Sequence, residues 1–226
     1  MKRIFLIGIA LLALLSCSKT PTDNNNELEH FIVPLAIANY WHYNASVTYI
    51  YCDGAHLQCE FDNTITENTN TVLDTFSFGR GTAYVLEDDS GFLYVNENTE
   101  DGFFQHGRLN SSGEFSSDEK LIAKYPISIG DIWEDSNGFS SITYECISQS
   151  EEITIPAGTF SCYVYQIIDD DFTNGEFHKF YYAEDIGLIK EWHYQESYFY
   201  LDEYYTIPVE YRNRILKELD EYSFGE

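Results

Sequence analysis

Basic residues are scarce in this chain of 226: 12 Lys and Arg stand against 38 Asp and Glu, a formal charge of −26. That balance excludes a nucleic-acid partner, because a phosphate backbone is drawn to clustered Lys and Arg and repelled by this surface. Anionic lipid is disfavoured on the same ground. The plainest meaning of the acid excess is a soluble, self-repelling coat. Long hydrophobic runs are lacking too. Residues 4 to 15 of MKRIFLIGIALLALLSC carry no charge, but they fall short of the roughly 20 apolar residues needed to cross about 30 Å of hydrocarbon. Helical periodicity is nearly absent. Only Tyr211, Ile215, Leu219 and Tyr222 approach it, and that segment fits a closing strand equally well. No Gly-x-Ser-x-Gly elbow, His-Glu-x-x-His pair or phosphate loop occurs. With so many carboxylates, some pair falls about 5 to 9.5 Å apart by chance, so their presence assigns no hydrolase.

What the chain does have begins at its start. Lys2 and Arg3 ahead of a short apolar run have the layout of a secretory signal. Leu14-Leu15-Ser16-Cys17 resembles the lipobox of bacterial lipoproteins, which implies cleavage before Cys17 and lipid attachment to it. Ser18, where an acidic residue would retain the protein at the inner membrane, resembles the outer-membrane sorting signal. The expected organisation is a signal peptide over residues 1–16, a flexible tether over 17–29 and a β-rich envelope domain over 30–226. The tether is rich in Asn, Asp and Thr and has almost nothing to pack. Loss of Lys2 and Arg3 with the signal leaves ten of the 12 bases against all 38 acids, a charge of −28.

The remainder reads as strand after strand, with turn signals at 88–91 (DDSG), 110–113 (NSSG), 136–138 (SNG) and 173–175 (TNG). Strands are expected at 40–51, 58–66, 82–87, 92–96, 140–155 with a break, 160–170, 188–195 and 197–206. Around Asn174-Gly175 a two-residue hairpin turn would set Phe172 opposite Phe177, Asp170 opposite Lys179 and Ile168 opposite Tyr181. The fold class is mainly β. A single antiparallel sheet, strongly curved into a half-barrel or barrel, hides its edges, and a two-sheet sandwich is the alternative.

Three stretches carry a further resemblance: Tyr125-Pro126-Ile127-Ser128-Ile129-Gly130-Asp131-Ile132-Trp133, Ile155-Pro156-Ala157-Gly158-Thr159-Phe160 and Tyr181-Tyr182-Ala183-Glu184-Asp185-Ile186-Gly187-Leu188. They resemble the pattern of uncharacterised secreted β proteins and lipoproteins of Gram-negative envelopes. The resemblance spans roughly residues 125–190. It implies fold and compartment and brings no catalytic residue. The motifs read as architecture, with a tight turn at Ala157-Gly158 and Phe160 opening the next strand's inner face.

Candidate chemistry is sparse. Four cysteines remain beside Cys17. Cys52 and Cys59 flank a six-residue loop in a chain bound for an oxidising compartment, which points to a disulfide. A zinc site of Cys52, His56 and Cys59 is the rival, and it lacks a fourth ligand nearby. With the turn at Ala157-Gly158, Cys162 would face Ile153 and not Cys146, so buried free thiols are expected there. Asp169 to Gly175 invites a calcium loop, but its glycine stands at the seventh place instead of the sixth. No cofactor is expected. Strand alternation puts Tyr198, Tyr200 and Tyr204 on one face, with Phe199, Leu201 and Tyr205 on the other, so Tyr198, Tyr200 and Tyr204 form a candidate binding surface. The expected function is a lipid-anchored, non-enzymatic binding or assembly module, held to the membrane by its N-terminal lipid and meeting a protein, glycan or apolar ligand. A carrier of an apolar ligand in a curved-sheet cavity and a carbohydrate-active hydrolase are the alternatives. A deep apolar cavity would favour the first of these, and a groove with two convergent carboxylates the second.

Overall fold

Apolar and polar residues alternate through most of the chain, and short Asp, Asn and Gly clusters break the alternation, which gives extended segments with one face apiece for the interior. The computed structural model describes residues 31–53, 59–78, 81–136, 141–168, 176–200 and 208–224, and among them the chain forms twelve strands and no helix. They are β1 (Tyr40–Asp53), β2 (Cys59–Phe78), β3 (Gly81–Glu87), β4 (Leu93–Thr99), β5 (Gly102–Leu109), β6 (Phe115–Lys124), β7 (Ile132–Ser136), β8 (Ser141–Ile155), β9 (Gly158–Ile168), β10 (Phe177–Ala183), β11 (Gly187–Tyr200) and β12 (Pro208–Ser223). They form one antiparallel sheet in the order β6-β5-β4-β3-β2-β1-β12-β11-β10-β9-β8-β7. The single curved sheet is therefore the architecture, and the sandwich is not.

Two six-stranded meanders make up this sheet, β1 to β6 and β7 to β12, joined where β1 pairs with β12 from Tyr40↔Ser223 to Asp53↔Val209. The two outermost strands meet again on the far side. Trp133 of β7 donates its indole N–H to the Leu121 carbonyl of β6 at 3.2 Å, and the Tyr165 hydroxyl donates to the Lys124 carbonyl at 2.8 Å. The sheet is thus a nearly closed barrel with its seam between β6 and β7. Inside lies the core, with Tyr165, Ile189, Leu219, Val72, Val164, Cys146 and Cys162 all but fully buried. Trp133 stacks on Tyr144 and meets Tyr165 edge to face, with centroids 4.9 and 5.1 Å apart.

Residues 31 to 39 close one end of the barrel. Ile32 and Val33 are buried there, Asp185 N–H donates to the Phe31 carbonyl at 2.8 Å, and the Asn98 amide donates to the Val33 carbonyl at 2.6 Å. The Trp41 indole donates to the Ile186 carbonyl, again at 2.6 Å. Beyond the barrel, β1, β2, β11 and β12 run on as a ribbon. Residues 59 to 70 of β2 pair only with β1, and Phe61 and Ile65 there are each 71% exposed.

Several registers differ from the sequence reading. Lys179 pairs with Gln166 and Tyr181 with Val164, a slip of four from the two-residue hairpin. Three consecutive aspartates are poor strand residues, and pairing begins on the near side of them. An even slip preserves which face each side chain takes. Residues 169 to 175, and the calcium reading with them, lie outside the described residues. The β8–β9 turn is Pro156-Ala157, with Ile155 opposite Gly158, one residue earlier than expected because Pro156 supplies the fixed φ of the first turn position. Cys162 consequently faces Glu151 instead of Ile153. Cys146 faces Tyr165, and both thiols are buried and free, as expected. The strands expected at 188–195 and 197–206 are one continuous β11 as far as Tyr200, and the C-terminal segment is the strand β12. β5, β6 and β7 were not foreseen as strands.

Candidate functional site: a polar cavity inside the barrel

Period-two alternation carries Asn68 and Asn70 of β2, Tyr94 and Asn96 of β4, and Phe103 and Gln105 of β5 to the interior, where they line a cavity of about 360 Å³. Val33 from the closing segment, Leu86 and Glu87 at the end of β3, Asp88 and Asp89 of the β3–β4 turn, Ile122 of β6, and Tyr43, Tyr182, Leu188 and Lys217 complete its walls. This volume lies at the small end of the ~300–1,000 Å³ typical of ligand pockets. Its lining is neither apolar nor a pair of carboxylates facing across a cleft.

A bulge aims part of this wall. Asn96 pairs with Gln105 and Val95 with Gly107, so His106 is an extra residue on β5 opposite β4. Bulges bend a strand and re-aim its side chains. Gly107 makes the close approach possible: its φ is +153°, and a Cβ there would stand 2.1 Å from the Ser116 carbonyl oxygen. His106 itself is buried between two carboxylates, with Nε2 2.8 Å from Glu97 and Nδ1 3.2 Å from Glu119. The two acids address different ring nitrogens, so they do not converge on one point. Among the described residues no group of three His, Cys, Asp or Glu side chains is set to hold a metal ion.

The far wall is charged and aromatic. Lys217 of β12 lies with its Nζ 4.3 Å from the centre of the Tyr43 ring, and Tyr43 donates its hydroxyl to the Leu188 carbonyl at 3.2 Å. Burial holds the Lys217 ammonium below the usual lysine range, against the opposing pull of Glu191, Asp89 and Asp88. Burial pushes the Tyr43 and Tyr182 hydroxyls well above the usual tyrosine range, with Glu191 adding to both. Glu191 faces Lys217 in the β11–β12 register and lies 2.8 Å from His178 Nε2. Burial alone would raise the Glu191 carboxyl, but the His178 hydrogen bond and the charges of His178, Lys217 and His193 outweigh it and hold the group below the usual glutamate range. The His178 and His193 rings stack at 4.7 Å.

Most carboxylates at the cavity mouth are already engaged. Asp88 Oδ1 accepts the Ser90 and Phe92 N–H groups at 3.0 and 2.9 Å, and its Oδ2 accepts the Tyr94 hydroxyl at 3.3 Å. Asp89 accepts the Asn68 amide at 2.9 Å. One buried donor is not engaged: Asn96 is 4% exposed and its Nδ2 has no partner among the described residues. Lys217 Nζ lies on the Tyr43 ring and has no carboxylate within ion-pair distance among the described residues.

The sequence-derived candidates fall elsewhere. Cys52 and Cys59 are Cα partners in the β1–β2 register, the geometry a hairpin disulfide needs, although nothing of their side chains is described. His56, Cys17 and Tyr204 lie outside the described residues. The backbones of Tyr198 and Tyr200 belong to β11, opposite Glu210 and Pro208. The described residues that line the cavity were missed, and the available signal was amides at every second position, as in Asn68-x-Asn70-x-Val72.

No family model and no curated protein matches the chain. Two solved structures resemble it, each over 86% of its length. One, from Bacteroides fragilis, is described as an exported protein with a YmcC-like fold; it is 12% identical, is covered completely and gives a TM-score of 0.44. The other, from Parabacteroides distasonis, is described as a lipoprotein; it is 13% identical, is covered over 99% of its length and gives a TM-score of 0.33. Likenesses this distant carry no function to this chain.

Proposed function

We propose that the chain is a lipid-anchored envelope protein, held at the outer membrane through Cys17, whose barrel is a non-enzymatic binding module with its ligand in the interior cavity. The anchor rests on Leu14-Leu15-Ser16-Cys17 and the short apolar run before it. The binding reading rests on one observation: the cavity wall carries a buried amide N–H₂, that of Asn96, with no partner among the described residues. A buried donor without an acceptor costs stability, and a fold that keeps one beside an open volume gains from an occupant. The amides and Lys217 disfavour an apolar cargo, because burying them against hydrocarbon would deepen that cost. The carboxylates that line the cavity, Glu87, Asp88 and Asp89, are consecutive residues on one side of it, which gives the hydrolase reading no opposed pair.

Both parts are open to test. Cys17→Ser is expected to abolish partition into the detergent phase of a Triton X-114 extract, and unchanged partition would refute the anchor. Native mass spectrometry of protein released gently from its own membranes is expected to show a retained small molecule; a mass equal to the lipidated chain alone would count against the binding module.

A further inference from the structure

The edge of the ribbon is unguarded. Residues 59 to 70 of β2 pair with β1 on one side, in an unbroken register from Tyr40↔Thr71 to Cys52↔Cys59, and on the other side no strand meets them among the described residues. Residues 61 to 67 are exposed without exception, Phe61 and Ile65 at 71% each. Sheet edges are ordinarily blunted with Lys, Pro or a bulge, and Cys59-Glu60-Phe61-Asp62-Asn63-Thr64-Ile65-Thr66-Glu67 has none of the three. The N–H and C=O groups of every second residue there point away from β1, with no further strand among the described residues to meet them. We propose that a second copy of this chain supplies the missing strand, β2 pairing antiparallel with β2 about a two-fold axis at Asn63.

The residues select both the partner and the register. A two-fold axis gives the two strands identical edges, and because the direction of N–H and C=O alternates along a strand, only positions an even number apart can face each other. With the axis at Asn63, Phe61 faces the partner's Ile65 and Ile65 the partner's Phe61, on one face of the joined sheet, while Asp62 faces Thr64, Glu60 faces Thr66 and Glu67 faces Cys59. Both exposed apolar side chains gain a neighbour and no acid opposes an acid. The adjacent registers fail. An axis at Asp62 sets that aspartate against itself, and one at Thr64 sets Phe61 against Glu67. An axis at Ile65 would bring Cys59 to Thr71, where Glu87 of β3 already holds the edge. The overlap about Asn63 runs from Cys59 to Glu67 and ends before β3 begins. This surface lies on the outside of the ribbon, so the inference goes beyond the cavity and stands without it.

Sedimentation velocity of the full lipidated protein, with detergent micelles in excess over chains, is expected to show a monomer and a dimer in exchange. The dimer fraction is expected to rise with sodium chloride, because screening relieves the repulsion between two acidic copies. Phe61→Lys combined with Ile65→Lys sets lysine against lysine and is expected to leave a monomer at every concentration, with a melting temperature within a few degrees of the unsubstituted protein because both side chains are exposed. Asn63→Cys reads the register directly and carries the test if the lysine variant fails to fold. Its two thiols stand opposite each other at the axis and are expected to oxidise to a covalent dimer at least about tenfold faster than those of Thr66→Cys, whose copies stand too far apart to bridge. An unsubstituted protein that stays monomeric at every concentration reached overturns the proposal, whatever other protein is recovered on this edge. So does a dimer that the two lysines leave intact, a dimer that salt dissolves, or equal oxidation rates for the two cysteine variants.

Discussion

The two meanders share a topology and divide the labour. Among the described residues of the buried apolar cluster, the first meander supplies five, Trp41, Tyr43, Val72, Phe103 and Ala123, and the second supplies eleven, from Trp133 of β7 to Leu219 of β12. The second half is an interior packed with aromatics and two buried thiols, with three register shifts in its ladders. Four register shifts interrupt the first half, between β2 and β3, β4 and β5, and twice between β5 and β6, and it contributes every amide of the cavity. The difference teaches where this fold can tolerate a hole: stability is concentrated in one meander, and the other is free to carry buried polar groups at a cost.

The strongest way to break that comparison is to empty the second half. Tyr165→Ala removes a fully buried ring that touches Trp133 and Tyr182 and ties the seam through Lys124. A loss of about 3 to 5 kcal/mol in urea unfolding is expected, against a total of about 5 to 15. A loss below about 1 kcal/mol would mean that the aromatic half is not where stability resides. The next effect belongs to the first half. Gly107→Ala drives a Cβ into the Ser116 carbonyl at a strained φ, and about 1 to 3 kcal/mol is expected, together with weakened ligand binding as the bulge beside Gln105 relaxes. Full stability with full binding would show that the bulge does not set the cavity wall.

The smallest effect at any one pH is alkaline. Burial, with Glu151 adding, pushes the Cys162 thiol up to about 12; burial also pushes the Tyr144 and Tyr181 hydroxyls up to about 12, helped by Asp135 and Glu191 at the first and by Glu151 and Cys162 at the second. The unfolded chain releases these protons near 9 for Cys and 10 for Tyr, while the folded chain keeps them. Between those values and about 12 the unfolded state binds fewer protons, so stability falls as pH rises. Melting temperature is expected to decline from about pH 9 upward. A flat profile to pH 11 would place these groups in contact with water.

Much of the fold was legible and little of the site. Asp88 to Gly91 and Asn110 to Gly113 are the turns their residues promise, each closed by a bond from the glycine N–H to the first residue's carbonyl. β5 hid because Gly102 and Gly107 interrupt its apolar alternation, and those glycines are there for the backbone's close approach to β6, which is a tertiary matter. The β9–β10 register lies four residues from the one that Asn174-Gly175 implies, because three consecutive aspartates are poor strand residues. The cavity was invisible for a different reason. Asn96 and Gln105 look like surface residues until strand assignment fixes their parity, and Lys217 until β12 is known to be a strand beside β1 and not a helix.

The pairing of β1 with β12 has a kinetic consequence. Every other ladder joins strands adjacent in sequence, but this one links groups such as Tyr40 and Glu221, 181 residues apart. Hairpins within each meander can zip locally and fast, whereas the central ladder must wait for the largest loop in the molecule to close. Synthesis runs from the N-terminus, so β1 emerges first and receives its last neighbour only when nearly the whole chain is made. Until then one flank of β1 is an open edge, the most exposed moment in the life of this protein and the one at which a second copy of the chain would compete with β12.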